Sequence, residues 1–121
     1  MRTLRSNKTQ SLYDAHRAGL EADGDCELCS KDILKEFKHW NIVQNLFPYD
    51  ILATVHHMII PKGHVRELDL DFDELKELIE IKSTYINEGY DLILHQVTKD
   101  QSIPDHFHLH LIVGKEDFNT N

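Results

Sequence analysis

The sequence predicts an α+β domain: short strand-like segments meet at turns, and one long stretch of helical period lies between them. Three observations lead there. Trp40 to Phe47 and Ile51 to Ile60 are rich in apolar and β-branched residues and are separated by the turn residues Pro48-Tyr49-Asp50. After Pro61-Lys62-Gly63 the apolar period lengthens, with Leu75, Leu78, Ile79, Lys82 and Ile86 recurring at three- and four-residue steps. Near the end of the chain the period shortens to two, as a strand requires.

Taken in order, residues 1 to 22 are polar with a weak helical period in Leu12, Ala15, Ala18 and Leu20, and read as a loosely attached N-terminal arm. Asp23-Gly24-Asp25 breaks that segment, so residues 23 to 121 are expected to form a single domain. Trp40 to Phe47 is the first strand and Ile51 to Ile60 the second. The helix follows. Asp69, Asp71 and Asp73 sit where its N-terminus favours negative charge, Lys82 can lay its stem along the buried edge, and Gly89 is placed to cap the C-terminus. Asp91 to Val97 reads as a third strand, residues 99 to 104 as a loop, and His106 to Val113 as a fourth strand. Trp40 and Tyr85 are expected in the core, and His16, His39 and His57 to be solvated or partly packed.

Composition narrows the function. The 121 residues suit one hydrophobic core, and no apolar run approaches the ~20 residues a membrane span requires. The first twenty residues lack the continuous apolar stretch of a secretory signal, which makes the cytoplasm the expected compartment. Thirteen basic against 21 acidic side chains leave a net charge of -8, a field that repels nucleic acid polymers. A small phosphorylated ligand is still accessible to a local cluster of donors, because distant surface charge is screened within ~10 Å.

The segment His106-Phe107-His108-Leu109-His110-Leu111 alternates histidine with an apolar residue three times. Side chains on a strand point alternately to opposite faces, so the three imidazoles share one face while Phe107, Leu109 and Leu111 meet the core. Imidazoles about 7 Å apart on one rigid element can supply a nucleophile, proton donors and metal ligands. A plain solvent-facing strand has no need of three in succession. The only cysteines, Cys26 and Cys29, form a Cys-x-x-Cys pair, which by itself is open between metal binding, redox chemistry and neither. A redox pair would be expected in a βαβ context, and none precedes or follows it.

The alternating histidines resemble the defining motif of the histidine-triad (HIT) superfamily, and other segments agree with it. Met58-Ile59-Ile60-Pro61-Lys62-Gly63-His64 resembles that family's apolar strand ending in Ile-Pro-Lys-x-His, with His56 at the position of an earlier family histidine. Asn45-Leu46-Phe47-Pro48-Tyr49-Asp50 and Ile103-Pro104-Asp105-His106 are similar to segments of its dinucleoside-polyphosphate hydrolase and phosphorylase branch. The resemblance covers roughly residues 26 to 118. It implies an antiparallel sheet of about five strands with one long helix and a shorter N-terminal helix.

It also implies chemistry at the α-phosphate of a nucleoside phosphoramidate or a dinucleoside polyphosphate. His108 would be the nucleophile that forms a nucleotidyl-histidine, His110 would donate to phosphate oxygens, and His106 would complete the triad. Asn45 would hold the ribose hydroxyls and Phe47 would line the base pocket, with core packing the rival reading for Phe47. Gln101 and Ser102 would contact the phosphate or leaving group, with ordinary loop polarity the rival reading. Zinc-containing members of the family resemble the Cys26, Cys29, His64 and His106 arrangement, and similar proteins are homodimers.

Three departures qualify the match. His95 stands where the family usually carries an asparagine, and reads either as a substrate contact or as a buried strand histidine. Ile51 to Val55 is longer than the family's Gly-His turn, with Val55 in place of glycine. Residues Gly114 to Asn119 lack the Pro-Arg-Trp of the dinucleoside-polyphosphate branch. A nucleotide-binding module with negligible turnover and a zinc-stabilised protein-interaction module are therefore the alternatives to an enzyme.

Overall fold

The computed structural model describes residues 4–19, 26–97, 101 and 103–116. Five strands form one antiparallel sheet: β1 (Ile33–Glu36), β2 (Trp40–Gln44), β3 (Ala53–Pro61), β4 (Leu92–Leu94) and β5 (Leu109–Gly114). Their spatial order is β1-β2-β3-β5-β4. Alternation along the strands divides the sheet into two faces. Trp40, Ile42, Ile59, Leu109 and Leu111 point to one face and pack with Leu78, Ile81, Ile86 and Phe107. Val43, Met58 and Ile60 point to the other, where they meet Leu28. Cross-strand register puts Val43 opposite Met58 and Met58 opposite His110, so the second face carries the histidines.

The helical face is covered by α2 (Phe72–Ile81), which continues through a π-helical turn, Lys82–Ile86, into a last turn, Asn87–Gly89. Asp71 caps it. Its carboxylate accepts from the Glu74 N–H at 2.8 Å while the Glu74 carboxylate accepts from the Asp71 N–H at 2.9 Å, a reciprocal box that satisfies two otherwise orphaned donors. The Trp40 indole donates to the Glu74 carbonyl at 2.8 Å, tying the helix to the edge of β2.

Here the expected helical stripe needs correction. Leu78 and Ile86 are buried, but Ile79 is 64% exposed, Lys82 is exposed rather than packed, and Ile81 takes the core position. The π turn follows Ile79 and Ile81 and bears only on the residues from Lys82 onward, because an extra residue per turn rotates the face that follows it. Tyr85 consequently lies outside the core, edge-on to Phe37. Gly89 has no positive φ and ends the helix from within its last turn, with the Tyr90 N–H bonding to the Ile86 carbonyl at 2.9 Å.

Strand boundaries also move, each for a local reason. β2 stops at Gln44 because the Asn45 side chain accepts the Phe47 N–H at 2.9 Å and starts a turn. β3 begins at Ala53 because the N–H groups of Leu52 and Ala53 are both drawn to the Tyr49 carbonyl. β4 is only three residues long. β5 begins at Leu109 because the Phe107 N–H donates to Val65, beyond the end of β3. β1 has every residue exposed, so no burial alternation marked it in the sequence.

Of the N-terminal arm, residues 4–19 are described, and side-chain bonds tie them to the turn after β2. Helix α1 (Asn7–Ala18) is capped by Ser6, whose N–H and hydroxyl donate to the two carboxylate oxygens of Asp50 at 2.6 and 2.8 Å. Thr9 adds a third bond at 2.6 Å. Burial alone would raise the Asp50 pKa, but these bonds from Thr9 and Ser6 outweigh it and hold the carboxyl at about 2. Among the described residues no helix is long and apolar enough to cross a membrane.

Candidate active site and metal centre

Beside the second face of the sheet lies a cleft, open to solvent. His108 and His110 line it, together with Asn45 and Phe47 from the end of β2. Leu28, Met58 and Ile103 supply apolar wall, and Arg5, Lys31, Tyr49 and Gln96 supply polar groups. His108, His110, Asn45 and Phe47, all singled out in the sequence, therefore meet in one place.

The histidines are buried rather than displayed: His106, His108 and His110 are 1%, 6% and 4% exposed. The rings of His108 and His110 meet edge to face, with centroids 5.2 Å apart. Their hydrogen bonds determine which nitrogen carries the proton. The Nδ1–H of His108 donates to the His106 carbonyl at 2.9 Å, which leaves the lone pair on Nε2.

His110 is set by a longer chain. The backbone N–H of Tyr49 donates to Nδ1 of His56 at 3.0 Å, so a neutral His56 carries its proton on Nε2. That proton faces Nδ1 of His110 at 2.7 Å, and His110 in turn carries its proton on Nε2, 3.5 Å from the Tyr49 hydroxyl. Neutrality is enforced by surroundings. Burial, followed by the charges of Arg5, His57 and His108, pushes His56 down to about 3. Burial, followed by His56, His108, Arg5 and His95, pushes His110 down to about 2. Burial also lowers His108, against a weaker opposing effect of its bond to the His106 carbonyl. The cleft thus presents one lone pair and one N–H donor side by side.

His106 turns away from the cleft. Its Nδ1 lies 3.4 Å from the sulfurs of both Cys26 and Cys29, and Nδ1 of His64 lies 3.4 Å from Cys29. The four donor atoms fall within 4.8 Å of one another and could hold a metal ion. Tetrahedral zinc with ordinary bond lengths would place sulfur and nitrogen about 3.5 Å apart, so the set fits. Nε2 of His106 faces the Pro61 carbonyl at 3.1 Å, the outer hydrogen bond that keeps Nδ1 free for a metal.

Other expected residues lie nearby in different settings. His95 is not buried; its side chain is 42% exposed, near the Glu67 carboxylate at 3.8 Å and edge-on to Phe107. This corrects the reading of His95 as a buried strand histidine. Gln101 donates to the Gln96 carbonyl at 2.7 Å. Ser102 lies outside the described residues. The sequence reading missed Arg5, Tyr13, Lys31, Tyr49 and Gln96 as cleft residues. Gln96, one step beyond His95, was within reach of a motif argument, whereas Arg5 and Tyr13 carry no local signal.

No family model matches the chain, and no curated protein matches it. Solved structures do. A HIT family hydrolase from Legionella pneumophila Philadelphia 1 superposes with a TM-score of 0.54 at 24% identity, covering 75% of this chain and 94% of that one. A HIT family hydrolase from Clostridium thermocellum gives 0.57 at 22% identity, covering 80% and 96%. A histidine triad protein from Clostridium difficile gives 0.54 at 20% identity, covering 79% and 95%. With its five-stranded sheet, its covering helix and its alternating histidines at the cleft, this chain has the fold of the histidine-triad proteins.

Proposed function

We propose that the protein is a nucleotide hydrolase or transferase that works at an α-phosphate through a covalent nucleotidyl-histidine on His108. The observation that carries this reading is the hydrogen bonding of the cleft: the His106 carbonyl beside Nδ1 of His108 leaves a lone pair on Nε2, and the chain from the Tyr49 N–H through His56 assigns the His110 proton to Nε2. In the first step the His108 lone pair forms a bond to phosphorus, and the bond from phosphorus to the leaving oxygen or nitrogen breaks. The leaving group departs with that electron pair and takes a proton from water at the open cleft. His110 donates to a phosphate oxygen as charge builds there, which is worth most where water is excluded. In the second step water attacks phosphorus, the Nε2–P bond breaks, its electrons return to His108, and a nucleoside monophosphate leaves with the proton balance made by solvent. Splitting one displacement into two eases each.

Asn45 is assigned to the ribose and Phe47, with Leu28, Met58 and Ile103, to the base. His95 and Gln101 are assigned to the leaving-group side, as is Ser102. Substrates of this class are nucleoside phosphoramidates and dinucleoside polyphosphates. Cys26, Cys29, His64 and His106 are assigned to zinc, with His106 shared between the metal set and the triad. These four side chains would hold the ion, and zinc bound there would supply structure by tying Cys26 and Cys29 to the start of the triad strand. The reducing cytoplasm suits a pair of free cysteines kept for metal. A second copy of the chain is assigned to the apolar surface of Leu68, Phe72 and Ile79, which are 89%, 76% and 64% exposed.

Mass spectrometry after brief exposure to an adenylated substrate tests the enzyme reading. A nucleotidyl adduct that disappears in His108→Ala is the expected result. Nucleotide binding with no adduct would reduce the protein to a binding module, and no nucleotide binding would leave only an interaction protein.

A further inference from the structure

Arg5 is far from the histidines in sequence, yet it borders the same cleft. Three restraints hold it there. Its Nε–H donates to the Phe47 carbonyl at 2.6 Å. Its guanidinium carbon lies 4.1 Å from the centre of the Tyr13 ring and 4.9 Å from that of Tyr49, where a cation is attracted by both rings. The residues on either side are pinned to the turn after Phe47. The Leu4 carbonyl accepts the Ile51 N–H at 3.2 Å, and the Ser6 N–H donates to Asp50 at 2.6 Å. A guanidinium mounted on both flanks and across its plane has given up the rotamer freedom that an exposed arginine keeps.

The charge around it has a direction. The protein carries a net charge of -8, but the described cleft wall contains the cations Arg5 and Lys31, beside two uncharged imidazoles, against one carboxylate, Glu27. That carboxylate is engaged by His16 and Arg17 of α1. Over distances shorter than the screening length the local cations dominate, so the cleft attracts an anion within an acidic protein. A guanidinium is a planar fork of N–H donors that matches phosphate geometry.

We propose that Arg5 is a ligand-binding residue that takes an anionic phosphate oxygen of the nucleotide, which makes the N-terminal helix part of the substrate site. This rests on the nucleotide reading of the cleft given above. The role is separate from that of the histidines, which the same reading commits to bond formation and to the reacting phosphate. Arg5 sets the preference for phosphorylated ligands over bare nucleosides, and α1 is the mount that keeps its fork in place.

Calorimetric titration of the full chain with adenosine and guanosine, and with their 5′-monophosphates, tests this without turnover. Arg5→Gln is expected to weaken monophosphate binding roughly 10- to 100-fold, as loss of a charged hydrogen bond should, and to leave nucleoside binding within about twofold. Arg5→Lys, which keeps the charge without the fork, should fall between the two. Unchanged monophosphate affinity in Arg5→Gln would overturn the proposal and leave the nucleotide reading standing. Equal losses for nucleoside and monophosphate, with a lowered melting temperature, would show a scaffold role and also overturn it. If the unaltered protein binds none of the four ligands, the nucleotide reading itself falls and this proposal with it.

Discussion

Replacing His56 with Phe isolates the hydrogen-bonded chain behind His110. His56 is 3% exposed, and phenylalanine keeps a ring in its place while removing both nitrogens. Two buried groups then lose their partners: the Tyr49 N–H, now 3.0 Å from His56 Nδ1, and Nδ1 of His110, now 2.7 Å from His56 Nε2. Each orphaned buried group costs about 1–3 kcal/mol, so the variant should lose about 2–6 kcal/mol, a large share of the ~5–15 kcal/mol that a domain has. Nothing then holds the His110 proton on Nε2. To the extent that it moves to Nδ1, the cleft loses its donor, and outright removal of one oriented donor costs about 10²–10³ in kcat.

Nitrogen-15 NMR of labelled histidine reads the tautomer directly, and steady-state hydrolysis reads the rate. In the unaltered protein His110 should show a protonated Nε2 and a bare Nδ1; in His56→Phe the two should mix while kcat falls. His56→Gln, which can present an amide N–H to His110, should restore part of both. A His110 protonated on Nδ1 in the unaltered protein would refute the reasoning, as would a phenylalanine variant that keeps both tautomer and kcat.

Elemental analysis should find about one zinc per chain, and a chelator or Cys29→Ser should lower the melting temperature sharply, since metal binding to a four-ligand set is folding free energy. A metal-free protein that melts at the same temperature would discard the site. Stability should fall as the medium is acidified below about pH 6.5. His56 and His110 have folded pKa values of about 3 and about 2, so between those values and 6.5 the unfolded chain binds more protons than the folded one. Each then contributes a slope of up to about 1.4 kcal/mol per pH unit, favouring the fold at higher pH. Denaturant titrations between pH 7.5 and 5 that gave one constant stability would contradict this. Light scattering should report twice the 14.2 kDa chain mass and a return to single mass for Phe72→Glu or Ile79→Glu; a monomeric unaltered protein would remove the assigned dimer face.

Much of the site was legible because strand geometry is local. Alternation of His106, His108 and His110 with Phe107, Leu109 and Leu111 sent the imidazoles and the apolar side chains to opposite faces, although only the second half of that segment lies in a regular strand. The four metal-ligand candidates were legible in residue type and in the family resemblance, and their donor atoms lie within 4.8 Å of one another. Helix α2 was legible in its existence and in its acidic N-terminus around Asp69, Asp71 and Asp73, but the π turn at Lys82–Ile86 was not, since nothing in the period of Leu75, Leu78 and Ile79 announces it.

By itself the sequence determined what short-range physics encodes: strand faces, turn positions, the helix start, and the chemistry that histidines and cysteines bring to one domain. Tertiary structure alone decided how distant segments meet. Asp50 grips Ser6 and Thr9 across 44 and 41 residues, which turns a polar arm into a wall of the cleft, and His56 reaches His110 across 54 to place its proton. Local periodicity cannot encode such pairs, because they form only when the sheet has registered and brought both partners out of water together.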